Sequence, residues 1–339
     1  MIVGSDSTLE SSSDYNDDAL VLPVIYEAGS RRLDIISWVK DNREQIEATV
    51  QECGGVLLRK FRVNGVAHFE RFIEEAFGEP LLSYENRSTP RSIVKGRVYT
   101  STEYPKSQAI PLHNENSYTR SWARKIFFYC VRASNIGGQT PIADSRKIFD
   151  LIPNEIKARF DRNGLLYVRN YSGLDLPWQD VFNTDEKSQV ESYCDQNQIE
   201  YEWVTDDHLR TRQYCQAIVQ HPNTGQWSWF NQAHLFHVSN LNDDLRKSLL
   251  DSFDKEDLPR NVYLGDGSDI DEADLEVIRS IYQSQTITFA WQSGDILLLD
   301  NMLSAHGRTP YQGARKVVVG MIEPYKNDTY KQALQPISA

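Results

Sequence analysis

Hydrophobic and polar positions alternate with different periods along the chain, and the period changes mark its elements. Between Leu33 and Cys53, Ile35, Ile36, Val39, Ile46 and Val50 recur at near-helical spacing among charges. This predicts one amphipathic helix, stopped by Gly54-Gly55. Val56-Leu-Leu-Arg-Lys-Phe61 predicts a short strand, and Val66 to Phe77 a second helix closed by Gly78 and Pro80. Ile110–Leu112 and Ile126–Val131 have strand-like composition. Ser145 to Asn163 reads as helix, with Pro153 opening a new turn or breaking it. Ala217 to Phe230 predicts a hairpin about Pro222-Asn-Thr-Gly225, and Asp243–Phe253 and Asp271–Gln283 predict helices. Thr286–Trp291, Asp295–Leu299 and Arg315–Ile322 return to a strand pattern. Residues 1–20 are polar, acidic and Ser-rich, and are expected to be mobile. Residues 21–339 read as a single domain of mixed β-structure with helices. Its strands gather at both ends, around a helix-rich insert at about 145–285.

Composition narrows the functional classes. A formal net charge of -12 repels phosphate backbones and anionic lipid surfaces, so neither nucleic acid nor membrane is an expected partner. No apolar run approaches the ~18–20 residues that span a bilayer, and the amino end lacks the features of a secretory signal. The expected location is cytoplasmic. Cys53, Cys130, Cys194 and Cys215 form no CxxC pair, which argues against a disulfide framework or thiolate metal site.

The chemistry centres on Tyr99 to Tyr118. His113 and Glu115 stand two apart after a strand-like run, and in extended chain they would face one point. They supply two-thirds of a 2-His-1-carboxylate iron site if a second His joins them. His306, after Leu299-Asp-Asn-Met-Leu-Ser-Ala, is the candidate. The Gly137-Gly138 pair permits a tight turn that places the Thr140 hydroxyl near a ligand, and Arg315 opens the last strand. Asn231-Gln-Ala-His-Leu-Phe-His237 sets His234 and His237 three apart, where a pocket or structural role is favoured over a second metal pair. His208 and His221 read as surface residues. Arg120, Arg210 and Arg212 are candidates to clamp a substrate carboxylate, with ordinary ion pairing favoured for each.

Four segments, Thr100-Ser-Thr-Glu-Tyr-Pro105, His113-Asn-Glu115, Gly137-Gly-Gln-Thr-Pro-Ile-Ala143 and Ala305-His-Gly-Arg-Thr-Pro310, resemble the TauD/TfdA group of Fe(II)- and 2-oxoglutarate-dependent oxygenases. The chain is particularly similar to the SyrP-like hydroxylases associated with nonribosomal peptide assembly. The resemblance implies a double-stranded β-helix, a cupin-like jelly roll, with the insert forming a lid. It implies iron held by His113, Glu115 and His306, and 2-oxoglutarate held by Thr140 and Arg315, with Arg308 a rival because Arg315 follows His306 closely. It implies Asn231 near substrate, alongside Arg120 and Arg308. Glu115 stands where many members carry Asp; either carboxylate disfavours chlorination, which needs a ligand position left open for halide.

The implied cofactor is Fe(II), with 2-oxoglutarate and O₂ as cosubstrates. The implied reaction is hydroxylation of an unactivated C–H bond in an amino acid or amino-acid-derived small molecule, free or tethered to a peptidyl carrier protein, in natural-product biosynthesis. Desaturation or another oxidation with the same cofactors is the related alternative. A non-catalytic jelly-roll protein binding a small acid, or serving as an interaction module, is the alternative of another class.

Overall fold

The computed structural model describes residues 22–29, 33–83, 93–100 and 104–328. The expected mobile stretch 1–20, and residues 101–103 of the Thr100–Pro105 motif, lie outside these. The main sheet has seven strands. In spatial order they are Val24–Glu27, Gly55–Arg59, Ile296–Asp300, Ser121–Arg132, Lys316–Lys326, Val98–Thr100 and Ile93–Lys95. The first pair is parallel and every other neighbouring pair antiparallel.

Alternation along the central strands assigns the two faces of this sheet. Phe127, Tyr129, Ile296, Leu298, Val318 and Ile322 point to one side, into a core with the helices Ile35–Asp41, Arg43–Cys53 and Val66–Phe77. Ile126, Phe128, Cys130, Leu297, Leu299, Val317 and Val319 point to the other, where they meet Ile142 and Trp291. The helical side is rich in fully buried aromatics (Phe69, Phe72, Phe77 and Phe127). Each contributes on the order of 1.5–3 kcal/mol through burial alone, so much of the stability lies on the face away from the candidate ligands.

A three-stranded sheet lies on the second side, with Ser304–Arg308 at its centre between Ile110–His113 and Ile142–Asp144. Its register puts His306 directly across from His113. Gly307 makes this pairing possible, because a Cβ there would lie 2.5 Å from the Ile110 carbonyl.

Several expectations change in detail. Leu33–Cys53 is two helices, parted at Asn42, whose Nδ2 donates to the Trp38 carbonyl at 2.8 Å. An Asn side chain that bonds nearby backbone competes with continuous helix. Pro153 likewise divides the next region into Ser145–Leu151 and Asn154–Asn163. The segment 286–291 forms no strand and joins the small sheet through one bridge, Ile287 to Ile142. The expected helix-rich insert is mixed. It holds a four-stranded antiparallel sheet (Glu200–Trp203, Leu209–Cys215, Leu165–Tyr171, Arg260–Leu264) and the hairpin Ile218–Gln220 with Trp227–Trp229. Glu200–Trp203 and Leu209–Cys215 carry charges on alternate residues, which hides them from a hydrophobic-run reading.

The main sheet packs tightly against the helix Val66–Phe77 and the residues after it at Gly320. A Cβ there would lie 2.7 Å from Ile73 Cδ1 and 2.9 Å from Leu81 Cδ2. Gly320→Val should therefore lower unfolding stability by about 1–3 kcal/mol through overpacking, read as a shift in the urea midpoint. An unchanged midpoint would refute this tight contact.

Candidate active site

His113 ends its strand and His306 sits mid-strand opposite it, so one antiparallel pairing brings the two imidazoles to a centroid separation of 4.6 Å. Glu115 reaches them differently from the sequence expectation. It lies in a turn rather than in extended chain, and the following residue, Asn116, has a left-handed φ of 56°. The carboxylate still converges. One ligand atom from each of His113, Glu115 and His306 lies within 4.8 Å of the others, and His306 Nε2 is 3.8 Å from Glu115 Oε2.

The donor set fits a divalent first-row metal of the non-haem iron type. His113 donates its Nδ1–H to the Pro111 carbonyl at 2.8 Å, which leaves the Nε2 lone pair as the ligand. His306 and Glu115 are buried at 4% and 3% exposure, and a cation bound between them would offset the cost of burying the carboxylate.

Asn301 holds the Glu115 turn. Its Oδ1 accepts the Glu115 N–H at 2.7 Å, and its Nδ2 donates to the carbonyls of Glu115 and Ala123, each at 2.9 Å. Asn114 donates to the Asn301 carbonyl at 2.7 Å and to Ser145 Oγ at 3.0 Å. Both Asn side chains are fully buried. The sequence reading assigned neither a role, although both adjoin ligand candidates. Their long-range partners leave no local signal.

Thr140 is buried, and its Oγ1 accepts the Trp291 indole N–H at 3.0 Å, so its own proton is available to donate. Arg315 donates from Nε to the Gly138 carbonyl at 2.8 Å. Burial, and then the neighbouring Arg308, push the Arg315 pKa down to about 10. An incoming dicarboxylate would offset that cost. Arg308 is committed elsewhere: its guanidinium donates to the carbonyls of Tyr104, Pro105 and Gln108 at 2.7–3.0 Å. It anchors that loop, which argues against it as the rival carboxylate fork or as a substrate contact.

The other expected residues sort by partner. Asn231, expected near substrate, is fully buried with both ends used: Nδ2 on the Ala217 carbonyl at 2.7 Å and Oδ1 on the Ala233 N–H at 3.0 Å. It locks a chain turn. Arg120 contacts Gln198 and the Asn327 carbonyl, Arg210 bonds Asn170, Glu202 and Asp257, and Arg212 pairs with Glu202 and Glu256. His221 is not at the surface. It is 1% exposed and donates to Asp300 Oδ2 at 3.0 Å. His208 is half-buried against Asn170. His237 Nδ1 accepts the Ser239 N–H, and His234 Nε2 donates to the Leu112 carbonyl at 3.0 Å, so these two are not part of the ligand set. All four cysteines are buried and free of disulfides, and burial pushes the Cys130 and Cys194 thiols up to about 12.

Residues 23–322 match a model of the taurine catabolism dioxygenase TauD, TfdA family. The chain belongs to the TauD/TfdA family. Membership makes it an Fe(II)- and 2-oxoglutarate-dependent dioxygenase. Two relatives extend the match. The dapdiamide synthesis protein DdaC of Enterobacter agglomerans is 41% identical over 280 residues, 82% of this chain and 85% of that protein. A clavaminate synthase-like protein of Arabidopsis thaliana is 30% identical over 296 residues, 84% and 86% of the two chains. Among solved structures, PvcB of Pseudomonas aeruginosa matches over 90% of this chain and 88% of its own at a TM-score of 0.52 and 13% identity. A taurine dioxygenase of Burkholderia xenovorans covers 90% and 87% at 0.51 and 16%. These two share the fold with this TauD/TfdA member. No helix among the described residues is long and apolar enough to cross a membrane.

Burial lowers the pKa of His237 to about 4 and that of His234 to about 3. Both are neutral in the folded protein, whereas an unfolded histidine titrates near 6.5. The unfolded chain therefore binds more protons below that value, and stability falls as pH drops from about 6.5 toward about 4. The urea midpoint should be lower at about pH 5 than at about pH 7, and His237→Asn should flatten that slope. Equal slopes in the two proteins would contradict it.

Proposed function

We propose that the protein hydroxylates an unactivated C–H bond of an amino acid or amino-acid-derived small molecule in natural-product biosynthesis. The observation that carries this reading is the convergence of His113, Glu115 and His306 on one point, two of them across a single strand pairing. These three residues would hold Fe(II). Thr140, through its free hydroxyl proton, and Arg315, through its guanidinium, would bind and orient 2-oxoglutarate. When bound, the metal and cosubstrate supply O₂ activation coupled to decarboxylation of 2-oxoglutarate to succinate and CO₂. The chain's own residues aim the ligands, fix the cosubstrate and keep water from the buried side of the site. No protein acid or base is needed.

The pathway assignment draws on the kinship with a dapdiamide synthesis protein. The fold of PvcB, described as an Fe, alpha-ketoglutarate dependent oxygenase from an isonitrile synthetic pathway, is consistent with it. The seven-stranded sheet facing the ligand-bearing sheet supports reading the core as a double-stranded β-helix. Residues 145–285 are then an insert in a single domain that reaches the site through Gln232 and His234. A substrate tethered to a peptidyl carrier protein remains part of the proposal. Desaturation is separated from hydroxylation by product mass.

Incubation with Fe(II), 2-oxoglutarate and O₂ should yield succinate coupled to turnover of a compound in a panel of free and carrier-tethered amino acids. His306→Ala should abolish it. Arg315→Met should raise the KM for 2-oxoglutarate roughly 10–100-fold, the worth of one charged hydrogen-bond partner. Succinate production unaffected by His306→Ala would end the reading. A KM raised by Arg308→Met and not by Arg315→Met would reassign the cosubstrate cation.

A further inference from the structure

The ligand strand Ile110–His113 is an edge. Among the described residues it pairs on one side only, with Ser304–Arg308. Carbonyls that point away from the sheet and are covered by protein need partners from elsewhere. The segment Gln232-Ala-His234 supplies them. Gln232 Nε2 donates to the Asn114 carbonyl at 2.9 Å, and His234 Nε2 donates to the Leu112 carbonyl at 3.0 Å. Two side chains two positions apart thus meet two carbonyls two positions apart, and the residue between those carbonyls is His113.

We propose that Gln232 and His234 form a clip that positions His113, fixing the Leu112–His113 peptide that leads into it and the Asn114–Glu115 peptide one residue beyond it before metal arrives. The proposal rests on His113 being an iron ligand. The ring of His113 is already oriented through Nδ1 on the Pro111 carbonyl. With the Leu112 and Asn114 carbonyls held as well, the chain is anchored just before and just after the ligand residue, which limits how far its ring nitrogen can turn away.

The clip is itself rigid. Gln232 and His234 are buried at 4% and 3% exposure. The Gln232 N–H donates to the Tyr167 hydroxyl at 2.8 Å. The His234 ring stacks on Tyr282 at 4.3 Å and 20°, and its backbone carbonyl accepts Arg279 Nε at 3.1 Å. Tyr282 and Arg279 belong to one helix, Glu272–Ser284. That helix therefore bears on the metal site through His234 without touching a ligand candidate in these bonds. Burial keeps the imidazole neutral, so it adds no positive charge beside an incoming cation. Side chains of this kind tune metal sites by orienting the ligands.

The test is anaerobic Fe(II) titration of metal-free protein, read by the visible absorption of its complex with 2-oxoglutarate, with circular dichroism to verify folding. His234→Phe keeps a ring and loses the donor; Gln232→Met keeps the length and loses the donor. Each should weaken Fe(II) binding by about 10–100-fold. His234→Gln retains a donor and should recover most of the loss. Gln213→Met is the control: Gln213 is also buried and donates to a carbonyl, that of Asn197, away from the ligand strand. It should cost stability and leave Fe(II) affinity intact. If His234→Phe does not fold, Gln232→Met decides alone. His113→Ala weakening iron binding while both clip variants bind as wild type overturns the clip and leaves the site standing. His113→Ala binding iron as wild type overturns the site reading itself.

Discussion

One antiparallel pairing brings the two candidate histidine ligands together. His113 and His306 lie far apart in sequence and meet because their strands share a register in which each faces the other. A slip of one residue would turn one imidazole to the opposite side of the sheet. The register is set by steric exclusion at Gly307, which lets the Ile110 carbonyl approach, and by hydrogen bonds that the ligand strand makes to side chains. The carboxylate depends on a separate device. Glu115 sits in a turn whose backbone N–H and C=O are both taken by Asn301, a residue five positions before His306. The segment that carries the second histidine therefore also fixes the acid.

Stability and function occupy different sides of the main sheet. The helices at the amino end bury their aromatics against one face, and the small sheet with the candidate ligands lies on the other. Alternation along Ser121–Arg132 serves both: Phe127 and Tyr129 face the helices, while Phe128 packs edge-on against His306 with ring centroids 4.9 Å apart. Interiors this dense transmit displacement poorly into empty space and well into neighbours. The site is thus built on rigid elements, the condition for aiming several donors at one ion.

The sequence carried the parts of this arrangement that have a local signature. Helix Val66–Phe77 and the hairpin about Pro222–Gly225 follow from periodicity and turn residues, and the structure has them where they were expected. The His-x-Glu pair and the distal His were visible as residue types at suggestive positions. The reason they converge was not, since Glu115 arrives through a turn and not through strand alternation. The partners that hold the site were silent for the same reason. Asn301, Gln232 and Trp291 act over 100 residues or more in the chain, and nothing in a neighbouring residue announces a bond of that range; for His234 a pocket or structural role was expected, but not its partner. Asn231 and Arg308 are the converse case. Their types suited ligand binding, and the hydrogen bonds they make go to backbone groups. The four-stranded sheet of 145–285 was not legible because two of its strands, Glu200–Trp203 and Leu209–Cys215, interleave charged residues with apolar ones.

The most direct measurement is anomalous diffraction from anaerobic crystals loaded with Fe(II) and 2-oxoglutarate. The account predicts one iron peak within bonding distance of Nε2 of His113, a ring nitrogen of His306 and a carboxylate oxygen of Glu115. A single peak held by other residues, or iron bound without His306, would contradict it.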